Sequence, residues 1–136
     1  MGLIYLDTCL LIYAIENHPV YAAPTRAALA KEPGGRFAVS PLTKLECLVG
    51  PLKTGNLALQ HRYEAGLAEC AQLPLPEAVF LQAAQLRARF GLKTPDALHL
   101  ACAQHHQCAA LGTNNERLEQ AAHGLARNVF RVGTER

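Results

Sequence analysis

Three acidic residues stand where an α/β chain could turn them to one purpose. Asp7 closes the apolar run Leu3-Ile4-Tyr5-Leu6, Glu46 lies within PLTKLECLVG, and Asp96 follows Thr94-Pro95. Carboxylates brought together repel one another, and hard divalent cations are the usual compensation. Mg²⁺ takes oxygen ligands, keeps several waters, and binds through one or two carboxylates plus a substrate phosphate. Two such ions can activate a water and stabilise the leaving oxygen in phosphodiester cleavage. Each residue also has a plainer role. Asp7 suits a turn, Glu46 a solvated helix position, and Asp96 the positive end of a helix dipole. Asn115, a candidate fourth member, suits a helix N-cap. The combination carries the chemistry, not any member alone.

The elements that would position these groups follow from local pattern. Leu3–Leu6 reads as a short buried strand, and Cys9–Glu16 as an apolar helix broken by Asn17-His18-Pro19. A second helix is expected from about Pro24 to Lys31, then a turn at Glu32-Pro33-Gly34-Gly35 and a strand over Arg36–Val39. Ser40-Pro41 reads as N-cap and first helical residue of a helix through Leu48, which Gly50-Pro51 should end. Asn56–Cys70 is a further helix, and Leu73-Pro74-Leu75 an edge-strand candidate, because proline cannot donate to a ladder. Pro76 opens a long helix to Phe90 that Gly91 stops. Thr94-Pro95 caps a helix running from Asp96 to about His106. Ala109–Gly112 is a strand, Asn114 or Asn115 caps a helix over Glu116–Ala122, and Asn128–Val132 is the last strand. Alternation of strands and helices implies a parallel sheet covered on both faces. In such a sheet, sites form beyond the carboxyl ends of the strands. Asp7, Glu46, Asp96 and the Thr113–Asn115 segment are therefore expected around one solvent-reachable pocket, with Asn115 at its rim.

The bulk numbers set bounds. The sequence of 136 residues suits one domain spanning 1–136, half of it apolar and rich in alanine. A net charge of +2 is too small to define a nucleic-acid partner, so any RNA-binding face must be a local patch. Arg87, Arg89 and Lys93 flank Gly91 near Asp96. They suit RNA phosphates or, equally, a solvated helix end. The five cysteines are odd in number and show no C-x-x-C spacing, which points to buried reduced thiols in a cytoplasmic protein. The apolar N-terminus lacks a basic region and is interrupted by Asp7, so neither a signal peptide nor a membrane span is expected. His105 and His106 cannot face one direction on a helix, and His99 shares no ligand ladder with both. All three are expected at the surface or partly packed.

At these positions the chain resembles the PIN-domain family, and within it the VapC-like toxins. The likeness rests on YLDTCLLIYAIE at Tyr5–Glu16, SPLTKLECLVG at Ser40–Gly50, LKTPDALHLACA at Leu92–Ala103 and LGTNN at Leu111–Asn115. These segments occur in order over nearly the whole chain, and their combination is specific where D-T or P-D-A alone is common. The resemblance implies an α/β/α sandwich with a short parallel sheet. It implies Mg²⁺- or Mn²⁺-dependent cleavage of single-stranded RNA by metal-activated water, with tRNA or ribosomal RNA loops as targets. Asp7, Glu46 and Asp96 carry over as catalytic metal ligands, and Thr8 and Thr113 as hydrogen-bonding support. The resemblance further implies a homodimer. It also implies a cognate antitoxin lying in an apolar groove formed by Cys9–Glu16, Pro24–Lys31 and Asn56–Cys70.

One position departs from the family pattern. Asn115 stands where an aspartate is usual, so the amide offers an oxygen without a charge, and a second metal would be held more weakly or through water. Glu116 is the adjacent acid, aimed differently on a cap. This departure keeps a second reading open, a PIN-fold module that binds RNA without cutting it. A receiver-like phosphoacceptor would need adjacent acids after the first strand and a lysine near the last. Here Thr8 follows Asp7, and the last strand region offers arginines only.

Overall fold

The computed structural model describes residues 2–31 and 36–128, with side chains described to Ala126. Within them a five-stranded parallel sheet is flanked by helices on both faces. The elements run β1 (Ile4–Leu6), α1 (Thr8–Ile15), α2 (Ala22–Ala30), β2 (Phe37–Val39), α3 (Pro41–Thr54), α4 (Leu57–Ala68), β3 (Ala71–Gln72), α5 (Glu77–Phe90), α6 (Thr94–His105), β4 (Ala110–Thr113), α7 (Glu116–Ala121) and β5 (Ala126–Asn128). The strand order is β3-β2-β1-β4-β5. The chain builds outward from β1 on one side, then crosses to β4 on the other. The boundary between β1 and β4 is thus the switch point of the sheet, where a crevice opens at the strands' carboxyl ends.

The two faces follow from the period-2 alternation of a strand. Tyr5, Ala38 and Leu111 face a core shared with α5, α6 and α7. Leu6 and Val39, with Ile4 and Phe37 beside them, face a second core built from α1, α3 and α4. Helix α6 is the deepest helix: Ala97 through Ala103 are consecutively buried. Its Ala and Cys side chains let a helix that is covered all round pack closely against its neighbours.

The far end of α1 is clamped from two sides. The Arg26 guanidinium donates to the Ala14 carbonyl, that of Arg62 to the Ile15 carbonyl, and the Tyr63 hydroxyl to the Glu16 carboxylate. Cationic donors at a helix C-terminus satisfy orphan carbonyls and complement the dipole. This fixes the helix whose first residues carry Asp7 and Thr8.

Several boundaries differ from expectation. Gly50-Pro51 does not end α3, which continues to Thr54 and stops at Gly55 in the left-handed region (φ 68°). Pro51 is buried in the last turns of this helix, so its packing offsets the hydrogen bond its missing N–H cannot make. Helix α2 starts at Ala22, which puts Pro24 in the first turn, where no intrahelical N–H partner exists. The edge strand β3 falls at Ala71–Gln72 rather than Leu73–Leu75: Leu73 still donates to the Val39 carbonyl at 2.9 Å, and Pro74 then ends the ladder. β5 begins at Ala126. The rest of the strand expected over Asn128–Val132, and the turn at Glu32–Gly35, lie outside the described residues.

Candidate active site

Pairing in the sheet brings the first two groups together. Leu6 is in register with Gly112, and the Asp7 amide donates to the Gly112 carbonyl at 3.0 Å. Asp7 therefore sits beside the end of β4. There the Thr113 hydroxyl, wholly buried, donates to Asp7 Oδ2 at 2.7 Å. Thr113 Oγ1 in turn accepts the Asn115 amide at 3.0 Å, so one threonine orders both the aspartate and the turn into α7.

Asp96 enters from the first turn of α6 and meets Asn115. The Asn115 Nδ2 donates to Asp96 Oδ2 at 3.0 Å, and its Oδ1 accepts from the Leu118 amide at 3.2 Å as the N-cap of α7. A backbone N–H can only donate, so the cap fixes which way the Asn115 amide faces. The oxygen that was expected to serve a metal is committed to the helix, and the group turned toward the carboxylates is the NH₂.

Glu46 arrives from α3 and is held by two donors on one oxygen. Thr8 Oγ1 donates to Glu46 Oε1 at 2.6 Å, and His99 Nε2 lies 2.7 Å from the same atom. A carboxylate only accepts, so Nε2 carries a hydrogen facing it. The other ring nitrogen, Nδ1, is 2.6 Å from the Tyr5 hydroxyl, which is 2.8 Å from Ser40 Oγ. Burial pushes the Tyr5 pKa upward, so its hydroxyl keeps its proton. The result is a continuous chain from Ser40 through Tyr5 and His99 to Glu46, with His99 only 1% exposed.

Asp7, Glu46 and Asp96 line one open pocket of about 470 Å³, shared with Thr8, Cys9, Ile12, Tyr13, His99, Asn114 and Asn115. Among the described residues, no lysine or arginine lines it. Burial and then the charge of Asp7 raise the Asp96 pKa, against the opposing influence of Asn115 and His99. Burial works against the Glu46 charge too, but the hydrogen bonds from His99 and Thr8 outweigh it, and its pKa is lowered. Burial and the Asp7 charge push the Cys9 thiol up to about 12, so it stays protonated beside the carboxylates.

The donor set suits a hard cation. The pocket presents carboxylate oxygens and lacks a basic side chain, and Asp96 is a charge in want of a counter-ion. Among the described residues, no group of three or more His, Cys, Asp or Glu side chains is close enough to share one ion. Asp7, Glu46 and Asp96 line the same pocket, and Glu46 is tied to Thr8 and His99.

The basic residues separate. Arg87 Nε donates to the Leu92 carbonyl at 3.0 Å, which closes the turn after α5. The Arg89 guanidinium lies 5.1 Å from the centre of the Phe90 ring and lines a different cavity, with Gln82, Gln104 and His123. Only Lys93, exposed at the N-cap of α6, stands near Asp96 in the chain. His99, expected with His105 and His106 at the surface or partly packed, is instead buried in the site, because its spacing from Asp96 (i, i+3 on α6) puts both on one helical face. Tyr5 and Ser40 gave no chemical signal of their own. All five cysteines are free thiols, as expected.

With the sheet order and the pocket established, the family is plain. The PIN domain profile matches residues 4–124, and the chain belongs to that family. Among solved structures it is similar to a toxin–antitoxin complex from Klebsiella pneumoniae, with 25% identity and a TM-score of 0.77 over 93% of this chain and 97% of that one. It is also similar in fold to FitAcB from Neisseria gonorrhoeae (20% identity, TM-score 0.79, 96% of this chain and 100% of that one). A third is VapBC2 from Rickettsia felis bound to a DNA fragment from their promoter (20%, 0.74, 93% and 98%). No curated protein matches the chain by sequence. Among the described residues no helix is long and apolar enough to cross a membrane.

Proposed function

We propose that this protein is a Mg²⁺- or Mn²⁺-dependent endoribonuclease acting as the toxin of a toxin–antitoxin pair in the cytoplasm. The observation that carries the reading is the Asp7–Asp96 pair in a pocket with no basic lining, where burial and mutual repulsion raise the Asp96 pKa. A bound divalent ion would supply a Lewis acid for water and phosphate at that position. The protein's own part is orientation. Thr113 holds Asp7, Asn115 holds Asp96, and Thr8 with His99 holds Glu46 as a fixed acceptor for a water's proton. The substrate is single-stranded RNA, with an exposed tRNA or ribosomal RNA loop as its source.

The antitoxin reading is supported by a groove of about 640 Å³ lined by Leu11 and Ile15 of α1, Leu29 of α2 and Gly66 of α4, with the charged Arg36 and Glu69 also in its lining. An amphipathic helix that lays its apolar face in such a groove is a common mode of peptide capture. The toxin–antitoxin complex among the similar structures supports the same partner, and the resemblance to the VapC-like toxins implies a homodimer. The commitment of the Asn115 amide to cap and carboxylate favours a second reading, an RNA-binding module without cleavage.

Titrating Mg²⁺ and Mn²⁺ into the protein with a fluorescent RNA separates the two. Metal-dependent cleavage that is lost in Asp96→Asn supports the nuclease. RNA binding without cleavage at any metal concentration leaves the binding module. Co-purification with the product of an adjacent small gene tests the toxin role.

A further inference from the structure

The carboxylate pocket leaves one side unexplained by metal chemistry. Tyr13 lines it from α1, on the same helical face as Cys9 and Ile12. Its ring is one of three packed together where α1 turns into α2. Tyr13 meets His18 edge-on at 5.1 Å and Tyr21 at 4.9 Å, and His18 stacks on Tyr21 at 4.9 Å with only 24° between their planes. All three are half-buried rather than enclosed.

The turn beneath them is tightly specified. Asn17 adopts φ 55°, a conformation asparagine tolerates better than most residues. The His18 amide returns to the Tyr13 carbonyl at 3.0 Å. His18 Nδ1 accepts the backbone amides of Val20 and Tyr21 at 3.1 and 3.0 Å, which locks the imidazole in orientation. The three rings are therefore held in place before any ligand arrives, so little ordering entropy remains to oppose binding.

We infer that Tyr13, His18 and Tyr21 form a stacking platform for an unpaired nucleobase next to the phosphate that a divalent cation at Asp7 and Asp96 would hold. This rests on the RNA nuclease reading and assigns its base-binding subsite. No lysine or arginine is among the described residues that line the pocket, so stacking on a base would add affinity that its wall does not supply through charge. Stacking of bases on aromatic side chains is the principal such contact for single-stranded RNA, and contributes about tenfold or more in affinity per base. The platform is continuous with the pocket through Tyr13. On a helix rising ~1.5 Å per residue, Tyr13 stands about 9 Å from Asp7 along the axis.

The test uses the full-length protein and a single-stranded octaribonucleotide carrying 2-aminopurine, whose fluorescence is quenched by stacking. Binding is followed in Ca²⁺ and cleavage in Mg²⁺. Tyr21→Leu should weaken binding about tenfold and relieve the quench. Tyr21→Phe, which keeps the ring, should behave as the parent. His18→Asn, which keeps an acceptor for the two backbone amides but removes the ring, should also weaken binding. An abasic nucleotide in place of the stacked base should cost the parent about tenfold in affinity and cost Tyr21→Leu nothing further. Full RNA affinity in Tyr21→Leu and His18→Asn, with parental cleavage, would overturn the platform and leave the nuclease standing. Loss of antitoxin capture with RNA affinity intact would equally overturn it, making the rings a protein contact. A parent protein that neither binds nor cleaves RNA would overturn the nuclease reading and the platform with it.

Discussion

His99 Nε2 lies 2.7 Å from Glu46 Oε1 in a position almost closed to solvent, and its other nitrogen meets Tyr5 at 2.6 Å. The imidazole thus joins a buried tyrosine to the one acid that stands apart from the Asp7–Asp96 pair. Replacing it by phenylalanine keeps an aromatic ring but removes one hydrogen bond from the Tyr5 hydroxyl, which retains Ser40, and one from Glu46 Oε1, which retains Thr8. A neutral hydrogen bond contributes about 0.5–1.5 kcal/mol and one to a charged group about 1.5–3 kcal/mol. Urea unfolding of His99→Phe should show a loss of about 2–4.5 kcal/mol, summed on that basis. The Mg²⁺ concentration for half-maximal RNA cleavage should also rise, since Glu46 is then held by Thr8 alone. A stability loss with an unmoved Mg²⁺ midpoint would make His99 a packing residue and nothing more.

Asp96 should be a liability to the metal-free fold. Burial and the neighbouring Asp7 raise its pKa when the chain folds, so the folded state holds this proton more tightly than the unfolded one. Stability from this group is present below the unfolded pKa and is lost as pH rises through the folded pKa. At neutral pH the charged carboxylate is a cost. In EDTA, Asp96→Asn should therefore unfold at a higher temperature than the parent at pH 7, with the difference vanishing as pH falls below the carboxylate range. In Mg²⁺ the order should reverse, because binding to the folded parent stabilises it by mass action. An Asp96→Asn protein that melts lower than the parent in EDTA would show that the Asn115 contact outweighs the repulsion.

Much of this arrangement was open to reading because local signals agreed. The strand–aspartate–helix start at Leu3–Glu16, the Ser40-Pro41 helix start and the Gly91 stop each follow from residue types with fixed conformational roles. Their order in the chain was enough to place Asp7, Glu46 and Asp96 at one edge. What escaped was set by tertiary packing. Pro51 stays in α3 because it is buried there, which no local rule registers. His99 joins the site because α6 is enclosed on every side, so a histidine one turn past Asp96 must face inward. The Asn115 amide was legible as a cap or as a site group; in the structure its Oδ1 caps α7 and its Nδ2 donates to Asp96.

Thr25 offers a test of the scaffold behind α1. Its side chain is fully buried in α2, and its hydroxyl has no hydrogen-bond partner among the described residues. Threonine and valine have nearly the same shape, so Thr25→Val removes an unmet polar group without opening a cavity. Thermal or urea unfolding should show a gain of about 1 kcal/mol, with cleavage unchanged because α2 carries none of the carboxylates. A loss of stability would mean that the hydroxyl has a partner after all, such as an ordered water.

The last prediction concerns Asn115. Its Oδ1 caps α7 through the Leu118 amide, and its Nδ2 donates to Asp96. Asparagine to aspartate keeps the cap, since the two residues cap about equally well. It also replaces a donor facing Asp96 with a negative charge. Without metal, Asn115→Asp should lose stability, because a fourth acid joins Asp7, Glu46 and Asp96 in the pocket and the donor to Asp96 is gone. With metal, the same charge should strengthen the site, because hard cations bind chiefly through electrostatics. The Mg²⁺ concentration for half-maximal cleavage should fall, with RNA affinity little changed. Asn115→Ala separates the two roles: it should cost about 1 kcal/mol through loss of the cap without lowering the Mg²⁺ midpoint. The measurements are a Mg²⁺ titration of RNA cleavage and thermal unfolding in EDTA for all three proteins at one ionic strength. Coincident Mg²⁺ midpoints for the parent and Asn115→Asp would confine Asn115 to the helix cap.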